Sequence, residues 1–269
     1  MNPPRHLLHL APGVEMAFRL IPAGSFRMGS RGFYHTEEPI YRVTIQQDFW
    51  LGETPVTQGQ FDLWTKEAGV DHQHHFKSRP DHPAENLDWR QANVFCAWLA
   101  LTQAAHLPPE FSLVCLPTEA EWEYACRAGT TTEYYTGDGA SALAEAGWFG
   151  EDWDKDSIHP VRQKAPNPFQ LFDLHGNAWE WCHDRWDASA YRQRGDGKPD
   201  PGFALRHEEW SLGLAALERS EESRVLRGGS WDGSARLCRS AYRLGLRPDV
   251  RYQGIGFRVC LVAPLNRIG

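Results

Sequence analysis

Hydrophobic positions fall at helical spacing in two stretches of this chain. The first predicts a helix over 57–68, opened by Thr57, with Phe61 and Trp64 on one face. The second predicts a helix over 88–103, with Asp88 as N-cap and Ala92, Phe95, Cys96 and Leu99 facing inward. A shorter helix is expected from Pro117 to Tyr124, where Thr118 followed by Glu121 has the spacing of a capping box. Elsewhere the pattern is one of short strands and turns. Phe18–Pro22 leads to Gly24–Gly29, and Tyr41–Ile45 alternates with period two. Residues 128–170 are rich in Gly, Thr, Asp and Pro and predict long ordered loops. Residues 193–222 are polar with weak periodicity, which predicts an insertion or a partly mobile loop. No repeat or linker divides the sequence, so a single domain over 1–269 is expected.

Composition adds that the core is aromatic. Among 269 residues there are 12 Trp, 24 Gly and 18 Pro, which fits a loop-rich α+β domain whose packing rests on large rings. The formal charge of -7 disfavours nucleic acid as a partner for a general basic surface. No run approaches the roughly 20 apolar residues of a bilayer span. The first ten residues lack the apolar core and cleavage site of a secretory signal, so a cytoplasmic location is expected, with surface display by another route left open. The six cysteines form no C-x-x-C pair, as expected of buried reduced thiols. A monomer is expected, since no amphipathic helix lacks a packing role.

Six segments, in order, resemble the formylglycine-generating-enzyme (sulfatase-modifying factor) family, a variant of the C-type lectin fold. They are Ile21-Pro-Ala-Gly-Ser-Phe-Arg-Met-Gly29, Glu38–Thr44, Glu53–Thr57, Leu116–Ala125, Leu171–Trp181, and Arg227-Gly-Gly-Ser-Trp231 through Gly256-Phe-Arg258. The resemblance implies a loop-rich α+β domain with a small twisted antiparallel sheet and flanking helices. It also implies, for the oxidase members, copper held by two cysteines with four residues between them, just after the Gly-Gly-Ser-aromatic motif. Two thiolates suit soft Cu(I). Here those positions hold Gly233 and Cys238, so one thiolate is missing and no copper is expected. Cys238 is then a core thiol, or the nucleophile of an oxidoreductase with another partner. Another branch of the family uses iron held by three histidines with an added helical domain, for which a chain of this length has no room. The cluster Asp71-His-Gln-His-His75 has metal-binding residue types, but its polar setting predicts a solvated loop.

The C-terminal segment 227–258 departs from the family in one systematic way. The frame is present: Trp231, Arg239-Ser-Ala-Tyr-Arg243, Pro248-Asp249, Arg251 and Ile255-Gly-Phe-Arg258. The slots that are Asn-rich in ordinary members hold Asp232, Gly233, Ser234, Leu237, Leu244, Gly245, Leu246, Val250, Tyr252 and Gly254. All ten are readable from any-any-C codons, the set that adenine randomisation of an AAC template yields; Gln253 is not. The segment therefore resembles the variable cassette of a diversity-generating retroelement. Arg236, Arg247 and Tyr252 are residue types enriched at binding hot spots. Leu237, Leu244, Leu246, Val250 and Tyr252 would make an apolar patch if they cluster on the surface, or core if they are buried. The resemblance further implies a structural Ca²⁺ site at Asp173, Gly176, Ala178 and Glu180, unless Glu180 pairs with an Arg. The expectation is a non-catalytic protein that binds a protein or other macromolecule through residues 232–254. Its alternatives are an oxidoreductase using Cys238, or a module that binds a small ligand or glycan in the same groove.

Overall fold

The computed structural model describes residues 2–150, 158–194 and 196–264. Seven α-helices punctuate the described residues: α1 (Gln58–Ala68), α2 (Trp89–Thr102), α3 (Glu119–Arg127), α4 (Gly139–Ala146), α5 (Ala190–Gln193), α6 (Pro201–Ser211) and α7 (Leu214–Glu218). The first three begin where local chemistry says they should. Thr57, Asp88 and Thr118 each accept a bond from the backbone N–H three residues on, and Gln60, Gln91 and Glu121 each reach back to the cap residue's own N–H.

The largest sheet has five strands in the order Arg5–Ala11, Val14–Ile21, Phe49–Gly52, Cys260–Val262, Leu113–Cys115. It joins the two ends of the chain, because Cys260 pairs with both Leu51 and Cys115. Gly24–Met28 and Tyr41–Ile45 form an antiparallel pair, as their alternation predicts, and Lys198–Pro199 adds to its edge in parallel. A four-stranded sheet runs Leu244–Leu246, Arg224–Arg227, Trp179–Arg185, Ile255–Phe257. Two apolar clusters fill the interior. One gathers Phe61, Trp64, Phe95, Trp89, Trp181 and Phe257 around α1 and α2. The other gathers Trp122, Val43, Leu51 and Tyr191 around α3.

Two stretches read as loops contain helices. Within 128–170, of which 151–157 lies outside the described residues, Gly139–Ala146 is helical and buries Leu143 and Ala146. Within 193–222, read as an insertion or a partly mobile loop, α6 and α7 form and pack on α2 and on the strand Trp179–Arg185. The physical reason is that α6 turns charged residues inward. Arg206 is fully buried and donates to both oxygens of Glu121 at 2.5 and 2.9 Å, while Glu209 accepts from Arg224 and Arg185. A helix whose inner face carries paired charges gives no apolar periodicity.

Candidate binding face of residues 227–258

The segment leaves the sheet at Arg227 and re-enters it twice. Leu244–Leu246 pairs with Arg224–Leu226 on one side, and Ile255–Phe257 runs parallel to Trp179–Trp181 on the other. Gly228 and Gly229 make the exit possible. Both have positive φ (95° and 77°), and a Cβ on Gly229 would lie 2.5 Å from the Cys238 Sγ. Trp231 then turns inward against Phe76 and Ile158, its backbone N–H donating to the Asn177 carbonyl.

Between these anchors the segment is pinned by buried arginines, each paired with a glutamate outside the segment. Arg239 donates to both Glu37 oxygens at 2.9 and 2.7 Å and lies over the Phe33 ring at 3.7 Å. Arg243 forks Glu119 at 2.6 and 2.7 Å, and Arg258 forks Glu180 at 2.6 Å on both oxygens. Arg227 donates to Glu123 and to the carbonyls of Ser240 and Tyr242. None of these four arginines is more than 3% exposed. Their carboxylate partners supply charge and geometry that a buried guanidinium requires. Of the partner set, Glu180 has a sequence-based reading, as a calcium ligand or as the partner of an Arg, and it is the second that the structure shows; Glu37, Glu119 and Glu123 have none. The signal for the set was the repeated Arg in the frame, which needs an equal supply of buried acid.

The slots sort differently from the frame. Ser234, Arg236 and Arg247 are exposed; Asp232, Leu237, Leu244, Gly245, Leu246, Val250, Tyr252 and Gln253 are half-buried; Gly233 and Gly254 are buried. Leu237, Leu244, Leu246 and Tyr252 each rest one side on the main apolar cluster, so these positions form neither an open apolar patch nor a fully buried core. The two arms of the segment touch: Tyr252 Oη donates to Asp232 at 2.5 Å, and the Ser230 hydroxyl donates to the other Asp232 oxygen. Arg247 forks Asp249 at 3.2 and 2.8 Å in the open, and Arg251 holds Asp88 at 2.9 Å. The glycine slots are unequal. A Cβ at Gly233 would sit 3.3 Å from the Ser230 carbonyl oxygen and 3.7 Å from Leu237, whereas one at Gly245 would run into the indole of Trp186.

The thiols here are not poised for chemistry. Cys238 is fully buried, and burial first, then Asp232, pushes its thiol up to about 12. Cys126 lies 3.7 Å from His175 Nε2, but that nitrogen accepts from the Tyr135 N–H while Nδ1 donates to the Cys238 carbonyl. Burial holds His175 down at about 3 and Cys126 up at about 12, so the pair stays neutral.

As placed, Asp173, Gly176, Ala178 and Glu180 do not fit a calcium ion. Both Glu180 oxygens are taken by Arg258, and one of them also by the Trp122 indole N–H at 2.7 Å. Asp173 accepts from the Arg162 backbone, and burial raises its carboxyl to about 6. Among the described residues no group of three His, Cys, Asp or Glu side chains is placed to hold a metal ion. His72 and His74 also correct the expectation of a solvated loop, which holds for the exposed Asp71, Gln73 and His75. His74 is buried, bonds Asp62 Oδ1 at 3.1 Å and lies 3.3 Å from His72 Nε2; burial first, then its neighbour, pulls His72 down to about 4. Its ring and that of His72 pack against Phe61, so core contact rather than water decides their placement.

Comparison with known proteins agrees with this architecture. The family model for the sulfatase-modifying factor enzyme 1-like domain matches residues 13–263. The formylglycine-generating enzyme of Mycobacterium tuberculosis is 26% identical, with 91% of this chain and 97% of that protein covered. A serine/threonine-protein kinase, pkn1 of Chlamydia caviae, is also 26% identical; 91% of this chain is covered, which spans 37% of the kinase. Among solved structures, Treponema denticola variable protein 1 superposes with a TM-score of 0.75 at 26% identity, covering 97% of this chain and 99% of that one. Among the described residues no helix is long and apolar enough to cross a membrane.

Proposed function

We propose that this chain, which belongs to the sulfatase-modifying factor enzyme 1-like family, is a non-catalytic binding protein that presents residues 232–254 to a protein or other macromolecular partner. The observation that carries this reading is the division of labour inside one segment. The frame arginines Arg227, Arg239, Arg243 and Arg258 are buried and paired outside the segment, while most of the slots between them reach the surface at least in part. A surface so arranged can change its contacts without touching its supports. The likeness to a variable protein supports diversification of these slots. The neutral Cys238 and the glycine at position 233 weigh against the oxidoreductase alternative.

Sequencing codons 227–258 and the flanking DNA across a population tests the reading. The expected result is substitution confined to the ten slots, beside a template repeat and a reverse transcriptase gene. An invariant segment with neither neighbour would overturn the diversified reading. A display library randomised at Ser234, Leu237, Leu244, Leu246, Val250 and Tyr252 tests binding itself: selection against a panel of proteins should yield folded binders, and none emerging would count against the face.

A further inference from the structure

A charged cleft lies away from the segment 227–258, none of whose residues lines it. Its volume is about 340 Å³, between the hairpin of the first two strands, the start of α1, and residues 80–81 and 161–162. Beneath one wall sits Glu53, 2% exposed, and three guanidinium groups converge on its carboxylate. Arg5 Nε and Arg19 Nε approach one oxygen at 2.8 and 2.7 Å, and Arg162 Nη2 donates to the other at 2.5 Å. One carboxylate neutralises one of three cations. Arg5 and Arg162 both line the cleft, are about two-fifths exposed (41% and 40%), and each commit a single nitrogen to Glu53. Their remaining donors are the fork that matches a carboxylate.

The cleft also has an acidic lining. Glu15 and Asp81 are half or more exposed (50% and 66%), and the nearest groups of opposite character are His9 and His82, at 3.0 and 2.8 Å. Burial lowers His82 below the usual imidazole range, so at neutral pH it leaves the Asp81 charge uncompensated. Thr54 and Gln60 add polar lining.

We propose that this cleft binds a small zwitterion, a free amino acid or a short peptide, with the carboxylate held by Arg5 and Arg162 and the ammonium by Asp81 and Glu15. A simple anion would gain the arginines but face two carboxylates, and a simple cation the reverse. Only a ligand carrying both charges satisfies all four side chains.

An NMR titration of the whole chain with leucine and with triglycine separates the two sources. Saturable shifts are expected at the backbone amides of Gly13, Gly59 and Val161 with at least one of the two. N-acetyl-leucine amide and acetate should produce none. Arg162→Gln and Asp81→Asn should each weaken binding at least tenfold. Arg5→Gln, which leaves Glu53 with two partners, serves if Arg162→Gln fails to fold. Absence of saturable shifts with both ligands, equal shifts from acetate or the blocked amide, or full affinity in the arginine variants would overturn the proposal. Because no lining residue is shared with 227–258, its failure leaves the display face untouched.

Discussion

Arg236 and Arg239 stand three positions apart and do opposite things. Arg236 is in solvent, whereas Arg239 is 1% exposed and its fork is matched to Glu37. Removing the buried partner strands a carboxylate that cannot reach water, so Arg239→Ala is expected to cost about 3–5 kcal/mol in urea unfolding. Arg236→Ala should stay within about 0.5 kcal/mol. The slots divide in the same way. Ser234→Asn should be nearly neutral, while Gly245→Asn must displace the Trp186 indole, which also lies 4.5 Å under the Arg243 guanidinium. That substitution is expected to lose about 1–3 kcal/mol, measured as a shift in the urea midpoint. If both asparagines are tolerated equally, Trp186 moves freely and the slots are equivalent after all.

Elements whose signals are local were legible in the sequence; those built on distant partners were not. The helices at 58, 89 and 119 announce themselves through a cap residue and its reply three positions later. Helix α6 does not, since its inward positions Arg206 and Glu209 look polar until Glu121 and Arg224 are known to face them. The asparagine pattern marks the slots of the candidate face but not how deeply each is buried, and of the glutamates that hold its frame only Glu180 is anticipated, because the others lie up to 202 residues away in sequence. The junction of α6 with α3 makes a further expectation. Asp200 accepts from the Thr118 hydroxyl at 2.5 Å and the Gly202 N–H at 2.9 Å, and Asp184 accepts from the Glu119 N–H at 2.7 Å. Burial first, then neighbouring carboxylates, raises these two acids to about 7 and about 6. A raised carboxyl favours folding only when protonated, so its penalty is full above pH 7 and gone below about pH 4, the unfolded value. Asp200→Asn should therefore gain stability relative to the parent at pH 8 and keep only the smaller part of that advantage at pH 5. Unfolding curves at the two pH values measure the difference, and a pH-independent effect would refute it.

At the scale of the whole molecule, the closing strand Cys260–Val262 sits between Phe49–Gly52 and Leu113–Cys115, so the last described strand completes a sheet begun by the first. All six cysteines are buried and unbridged within that construction. Burial raises the thiols of Cys96, Cys126, Cys182, Cys238 and Cys260. A thiol reagent such as Ellman's should accordingly find none in the native protein over minutes and all six in denaturant, in a single phase that tracks global unfolding. Early reaction at one cysteine would reveal a part of the molecule that opens alone. The pinning of residues 227–258 has a consequence for what such a surface can learn to recognise. Both ends are fixed in one sheet and the middle is tethered at Arg239 and Arg243, so the contour of the backbone is held by contacts of the frame. Immune loops reach new targets by growing or shrinking. Under the function proposed above, novelty comes only by changing the texture and charge of a constant outline, which favours partners that themselves present a surface of steady shape and shifting detail.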